Sequence, residues 1–183
     1  LTLNDRAMDK VLGREEPVRT WYLDLTELQD YWGSDRAYHH TAPVANIYAL
    51  REALRLAAEE GIEDRWARHR RIAGGLKAGV EAMGLALKPE DDFWLPSLNA
   101  VRLPEGADDG EIIDYLLTHY NLEIASGLGA LSGDILRIGC MGHSARPSNV
   151  LTLLVGLGEA LEAQGVDVDP GAGLEAARLA LSD

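Results

Sequence analysis

Between Pro43 and Gly84 the apolar residues recur every three or four positions, and from Leu85 onward they alternate. That change of period constrains the fold more than any other feature. A 3.6-residue repeat buries one stripe of a helix, and a two-residue repeat buries one face of a strand. Ile47, Leu50, Leu54 and Ala57 predict a helix stopped by Gly61. Trp66, Ile72, Leu76 and Val80 predict a second one from Ile62 to Met83. Gly74, Gly75 and Gly79 lie inside it, and each glycine costs about 1 kcal/mol relative to alanine in a helix interior. Close helix packing is the ordinary reason for keeping them. Past Gly84, Leu85–Lys88 and Leu98–Leu103 read as strands. Asp108 with Glu111 three residues later resembles a capping box, opening a helix that carries Ile112, Ile113, Leu116, Leu117 and Tyr120. Leu122–Ala125 and Ile135–Cys140 read as two further strands joined by a glycine-rich loop. Ser144 and Pro147 open a last long helix through Leu161. Strand, strand, helix, strand, strand, helix is the order of an α/β fold built of mixed α+β layers.

The first 45 residues lack a self-contained apolar pattern. Leu1–Arg6 reads as a strand end entering a helix capped by Asn4 or Asp5 and stopped near Gly13. Trp21–Trp32 has helical spacing, with Asp24 or Thr26 near its start and Gly33-Ser34-Asp35 breaking it. Residues 1–45 therefore read as the edge of another domain and 46–165 as a small α/β domain. Residues 166–183 read as an acidic tail with a short helix at Leu174–Leu181.

Composition removes several function classes. Acids outnumber bases 30 to 17, for a net charge of −13 over 183 residues. Such a chain is repelled by phosphate backbones and anionic lipid surfaces, so nucleic acid and membrane are poor partners. No apolar stretch reaches the roughly 18 residues of a membrane span. No basic-then-apolar leader opens the chain. The single cysteine, Cys140, cannot form an internal disulfide, which suits a reducing, cytoplasmic setting. The chain opens on Leu1 rather than methionine, as a piece of a longer protein would.

Arg137 is the most informative side chain. It sits in Ile135-Leu136-Arg137-Ile138-Gly139, inside an aliphatic strand, where a charge must meet an anion or an open edge. Gly139 shares its face and removes a side chain where a ligand could approach. A planar guanidinium suits a bidentate grip on a carboxylate, and the alternative is a structural salt bridge. A second constellation, Tyr38-His39-His40-Thr41-Ala42-Pro43, immediately precedes a strong helix. A helix N-terminus favours phosphate, and the hydroxyls of Tyr38 and Thr41 could add donors. The plainer role for Thr41 is N-capping, and for His39 and His40 it is packing or solvent exposure. Gly127-Leu128-Gly129 lacks dinucleotide or P-loop spacing. Glu90-Asp91-Asp92 reads as a solvated turn and Cys140 as a packing residue. No Cys/His pattern has zinc spacing, so no metal is expected.

Tyr38-His39-His40-Thr41-x-Pro43, Tyr48-x-Leu50-Arg51-Glu52-x-Leu54 and Leu136-Arg137-Ile138-Gly139 together resemble class V, fold-type I aminotransferases that use pyridoxal phosphate. The resemblance is to their alanine–glyoxylate and serine–pyruvate group. Tyr31-Trp32-Gly33-x-Asp35, Glu60-Gly61 and Glu123-Ile124-x-x-Gly127-Leu128-Gly129 support it, and it runs from about Leu1 to Glu162. It implies the C-terminal part of such an enzyme: residues 1–45 end the large cofactor domain, and the small domain follows. It further implies that Arg137 holds the substrate carboxylate. Tyr38 and Thr41 would reach the cofactor phosphate of the neighbouring subunit in a homodimer. The implied reaction moves an amino group from alanine or serine to glyoxylate or pyruvate, with pyridoxal 5'-phosphate as the electron sink.

One departure matters. The family's cofactor lysine lies in a Ser-x-x-Lys segment upstream of Leu1, and Lys10, Lys77 and Lys88 have no companion motif. This portion alone is therefore expected to be inactive. Gly139–His143 and the 166–183 tail also differ from the family pattern, which leaves substrate preference open. The alternative is a free-standing carboxylate-binding or dimerisation module without catalysis.

Overall fold

The computed structural model describes residues 2–34 and 36–182. Expectations that fall on Leu1, Asp35 and Asp183 lie outside them. Two compact units meet in the sequence between Leu54 and Arg55.

In the first unit, α1 (Asp5–Leu12) is capped by the Asn4 side chain, which accepts from the Ala7 amide at 3.0 Å, and it ends at Gly13. Trp21–Leu23 form a single 3-10 turn. α2 (Leu25–Trp32) follows, with Asp24 as its cap, accepting from the Thr26 amide at 2.9 Å and from its hydroxyl at 2.6 Å. Those bonds hold the Asp24 carboxyl below its usual range. α3 (Val44–Glu60) begins after Pro43 and crosses the boundary between the units. None of the three helices has a buried residue, so their apolar stripes are formed but uncovered.

The second unit has a dense core. α4 (Ile62–Ala82) buries Ile72, Ala73, Leu76 and Val80. After it, β1 (Leu98–Arg102) leads to α5 (Asp109–Tyr120), whose Asp108 cap accepts from the Glu111 amide at 2.9 Å. β2 (Ala125–Ser126), β3 (Ile135–Gly139), α6 (Pro147–Ala163) and α7 (Pro170–Ser182) complete the unit. The sheet is antiparallel in the order β1-β3-β2. Val101, Leu136 and Ile138 turn one face of it into the core with the helices.

Several expectations change. Leu85–Lys88 is no strand but an isolated bridge, Leu87 to Val101. Leu122–Ala125 shrinks to β2, because Asn121 takes a left-handed cap (φ 50°) and the Leu122 amide closes α5 by donating to the Leu116 carbonyl at 3.2 Å. The short helix expected at Leu174–Leu181 is present but longer: α7 packs along α4 and buries Gly173, Ala177 and Leu181. Glycine permits that closeness. A Cβ on Gly79 would stand 3.1 Å from the Gly173 carbonyl, and one on Gly75 would collide with Leu181. The packing explanation thus holds for Gly75 and Gly79, whereas Gly74 has nothing within 4 Å. Lastly, the final long helix opens at Pro147 as expected, with Arg146 at its N-cap, while Ser144 ends a separate 3-10 turn (Gly142–Ser144) before it.

Candidate functional site

Arg137 lies on the central strand β3, on the face opposite the core. Its register partners are Ala100 on β1 and Ala125 on β2, two small residues that leave the guanidinium uncrowded. Its Nε donates to the Ser126 carbonyl at 2.6 Å. No carboxylate lies within ion-pair distance of it among the described residues. Among the described residues no acid makes the structural salt bridge that the sequence left as the alternative. The two terminal nitrogens carry no protein partner among the described residues, which is the arrangement a bound anion requires of a half-buried arginine.

The neighbourhood explains the glycines. The Gly127 amide donates to the Ile135 carbonyl at 3.0 Å, and a Cβ there would collide with the Leu131 carbonyl. Gly127 serves close backbone approach beside β3. Gly139, two residues beyond Arg137, leaves a gap bordered among the described residues by the Met141 methyl group, which would stand 3.5 Å from a Cβ there.

The exit of β3 is held from α4, which the sequence did not signal, since the partners stand more than seventy residues apart. Arg68 Nη1 donates to the Gly142 carbonyl at 3.0 Å and to the Ala145 carbonyl at 2.9 Å. Its Nε and Nη2 grip Glu60, which Arg65 also reaches at 2.9 Å. This pairing holds the Glu60 carboxyl down at about 2 and raises Arg68. His69 receives the Gly142 amide on Nε2 at 2.9 Å while its Nδ1 lies 2.6 Å from the Arg65 carbonyl. Cys140 is buried, and burial pushes its thiol up against the opposing pull of Arg68, so it is a packing residue rather than a nucleophile.

In the first unit, Tyr38 and Thr41 come together, hydroxyl to hydroxyl, at 3.0 Å, both exposed. Thr41 does not cap α3. Ala42 precedes a proline, which disfavours helical backbone, and the helix begins three residues later at Val44. His39 is buried, stacked on Trp21 with ring centroids 4.1 Å apart, and its Nε2 reaches the Trp21 carbonyl at 3.2 Å. His40 is half-buried against it, Nδ1 to Nδ1 at 2.7 Å. Both are packing residues, and no metal-binding cluster occurs among the described residues. The Tyr38–Thr41 pair fits a phosphate in the kind of donor it offers. The lysines fit no cofactor linkage. Lys77 lies over the Trp94 ring and is tied to Asp91 at 2.5 Å, and the Asp91 carboxylate raises its ammonium above the usual range. Lys10 is exposed in the last turn of α1, and Lys88 follows the Leu87 bridge. Among the described residues no helix is long and apolar enough to cross a membrane.

No protein-family model matches the chain. It is 43% identical over 176 residues to a (S)-ureidoglycine–glyoxylate transaminase of Bacillus subtilis, covering 96% of this chain and 42% of that protein. It is 38% identical over 166 residues to an alanine–glyoxylate aminotransferase of Felis catus, covering 88% and 40%. A pyridoxamine–pyruvate transaminase of Mesorhizobium japonicum is 35% identical over 176 residues, covering 96% and 45%. Among solved structures, the ureidoglycine–glyoxylate aminotransferase of Bacillus subtilis superposes with a TM-score of 0.90 at 41% identity, covering all of this chain and 47% of that one. The chain spans about two-fifths of the length of the curated relatives it matches.

Proposed function

We propose, from the homology of this chain over most of its length to the C-terminal part of alanine–glyoxylate, ureidoglycine–glyoxylate and pyridoxamine–pyruvate aminotransferases, that it is the substrate-gripping portion of a pyridoxal-phosphate-dependent transaminase. The intact enzyme moves an amino group from alanine or serine to glyoxylate or pyruvate. It works as a cytoplasmic homodimer, and residues 1–45 end its cofactor domain. When bound, the cofactor supplies the electron sink that lets a proton leave the amino acid's α-carbon. The covalent link belongs to a lysine outside this sequence.

Arg137 binds and orients the α-carboxylate. A guanidinium whose two terminal nitrogens have no partner among the described residues offers the parallel pair of donors that a carboxylate accepts. Ser126 fixes its Nε, so the fork loses little freedom when the substrate arrives. Ala100 and Ala125 keep the approach open. The Tyr38–Thr41 pair would serve the cofactor phosphate of the neighbouring subunit, one hydroxyl donating to the phosphate while the other's proton keeps the pair together.

The observation that carries this reading is the half-buried Arg137 without an acidic partner among the described residues, in a chain homologous to carboxylate-handling enzymes. The test is Arg137→Ala in the intact enzyme. A charge-assisted contact contributes about 1.5–3 kcal/mol, so kcat/KM for the amino donor should fall by about one to two decades. Arg137→Lys should recover only part of that, since an ammonium lacks the planar fork. An unchanged kcat/KM with a melting temperature several degrees lower would assign Arg137 to the scaffold.

A further inference from the structure

We infer that His69 is a positioning residue for substrate binding: it holds the loop that leaves β3 so that Met141 borders the gap beside Arg137. This rests on the reading of Arg137 given above.

The hydrogen bonds admit one arrangement of the imidazole. The Arg65 carbonyl only accepts, so the proton stands on Nδ1, 2.6 Å away. The Gly142 amide only donates, so Nε2 offers its lone pair at 2.9 Å. One neutral tautomer satisfies both, and it ties a turn of α4 to a backbone atom seventy-three residues later. Arg68, next along the helix, takes the Gly142 carbonyl at 3.0 Å. Both backbone groups of Gly142 are thus held from the same helix. They hold a residue with a φ of 59°, a left-handed turn that glycine permits.

The consequence falls on Met141. β3 is kept in place by its own ladder, and the ladder continues one step further through the Cys140 amide, which donates to the Ser97 carbonyl at 2.9 Å. Beyond that point Arg68 and His69 hold the backbone of Gly142, and the Ser144 amide donates to the Met141 carbonyl at 3.2 Å. Met141 directly precedes Gly142, and its methyl group stands 3.5 Å from where a Gly139 Cβ would be. Gly139 shares the Arg137 face, two residues or about 6–7 Å along the strand. A half-exposed thioether therefore borders the opening next to the carboxylate anchor, and the His69–Gly142 bond is one of the contacts that set its place, beside the Arg68 grip on Gly142 and the Ser144 amide on the Met141 carbonyl. Loosening the His69–Gly142 bond loosens the wall against which a short substrate is held. The strand that carries Arg137 stays put.

Two amide substitutions separate positioning from bulk stability, because they differ in reach. In His69→Gln the carbonyl oxygen extends to where Nε2 stood and can accept from Gly142. In His69→Asn it falls short of the loop. In the intact enzyme, His69→Asn should raise KM for the amino donor by about five- to tenfold, with kcat within about twofold. His69→Gln should keep KM within about twofold of wild type. Wild-type KM in both variants overturns the proposal. Equal impairment in both, tracking a common loss of melting temperature, also overturns it and makes His69 a scaffold residue. If His69→Asn does not fold, amide exchange in the unmodified enzyme decides: a protected Gly142 amide supports the bond, and exchange at the unstructured rate overturns it. Arg137→Ala, assayed alongside, tells the two failures apart. If it leaves KM unchanged, the carboxylate reading falls and takes this proposal with it. If it raises KM while His69→Asn does not, only the role of His69 falls.

Discussion

The two units of this chain carry similar apolar residues and use them in opposite ways. Among the described residues up to Leu54, His39 alone is buried, and Leu50 on α3 is 59% exposed. Beyond Arg55, Leu76, Ile112, Leu154 and Leu157 are almost wholly removed from water. Helical spacing is clear in α3, which begins in the first unit, as it is in α4 and α5 of the second. A periodic stripe specifies a helix, but a core forms only where a second surface meets it, and the first unit supplies no such surface of its own.

Paired truncations put that contrast to its largest test. Leu154→Ala in this chain should cost about 2–5 kcal/mol in urea unfolding, because it empties a closed site facing Gly79 on α4. Leu50→Ala should stay within about 0.5 kcal/mol, as exposed positions do. A comparable loss from Leu50→Ala would show that α3 is covered in solution, and sedimentation would then reveal association.

A smaller effect is expected at the Tyr38–Thr41 pair. In the intact enzyme, Thr41→Ala should weaken cofactor retention by about fivefold, the size of one hydrogen bond, while the melting temperature without cofactor barely moves. The reverse pattern, lost stability with unchanged retention, would make Thr41 a structural residue despite its distance from the helix start.

How much of this was legible in the sequence depends on distance along the chain. α4, α5, α6 and β3 follow from local period, and the Asp108 cap from a four-residue motif. The packing of α7 is hard to see in the sequence because two of its three buried positions, Gly173 and Ala177, have small side chains that carry little hydrophobic signal although they permit the closest packing. Thr41 looked like a cap until Pro43 pushed the helix start beyond its reach. Arg137 stood out because a charge among aliphatics is locally anomalous. Its Ser126 partner, and the grip of Arg68 and His69 on Gly142, join residues distant in sequence, and periodicity carries no trace of such pairs.

The smallest effect concerns pH. Glu60 is held at about 2 by Arg68 and Arg65, below the ordinary 4.5. A depressed carboxyl contributes stability that is complete above the unfolded value and lost as pH falls toward the folded one. Melting temperature should therefore drop between about pH 4.5 and 2, and Glu60→Gln should flatten part of that slope. An unaltered slope in Glu60→Gln would leave the Arg68 grip without energetic weight.

The carboxylate grip itself is tested most directly by deleting the charge from the substrate as well as from the protein. In the intact enzyme, kcat/KM should be measured for an amino acid and for its uncharged amide, in wild type and in Arg137→Ala. Wild type should prefer the carboxylate by about one to two decades, and the variant should treat the two nearly alike. An equal preference for the carboxylate in both proteins would contradict the assignment of Arg137.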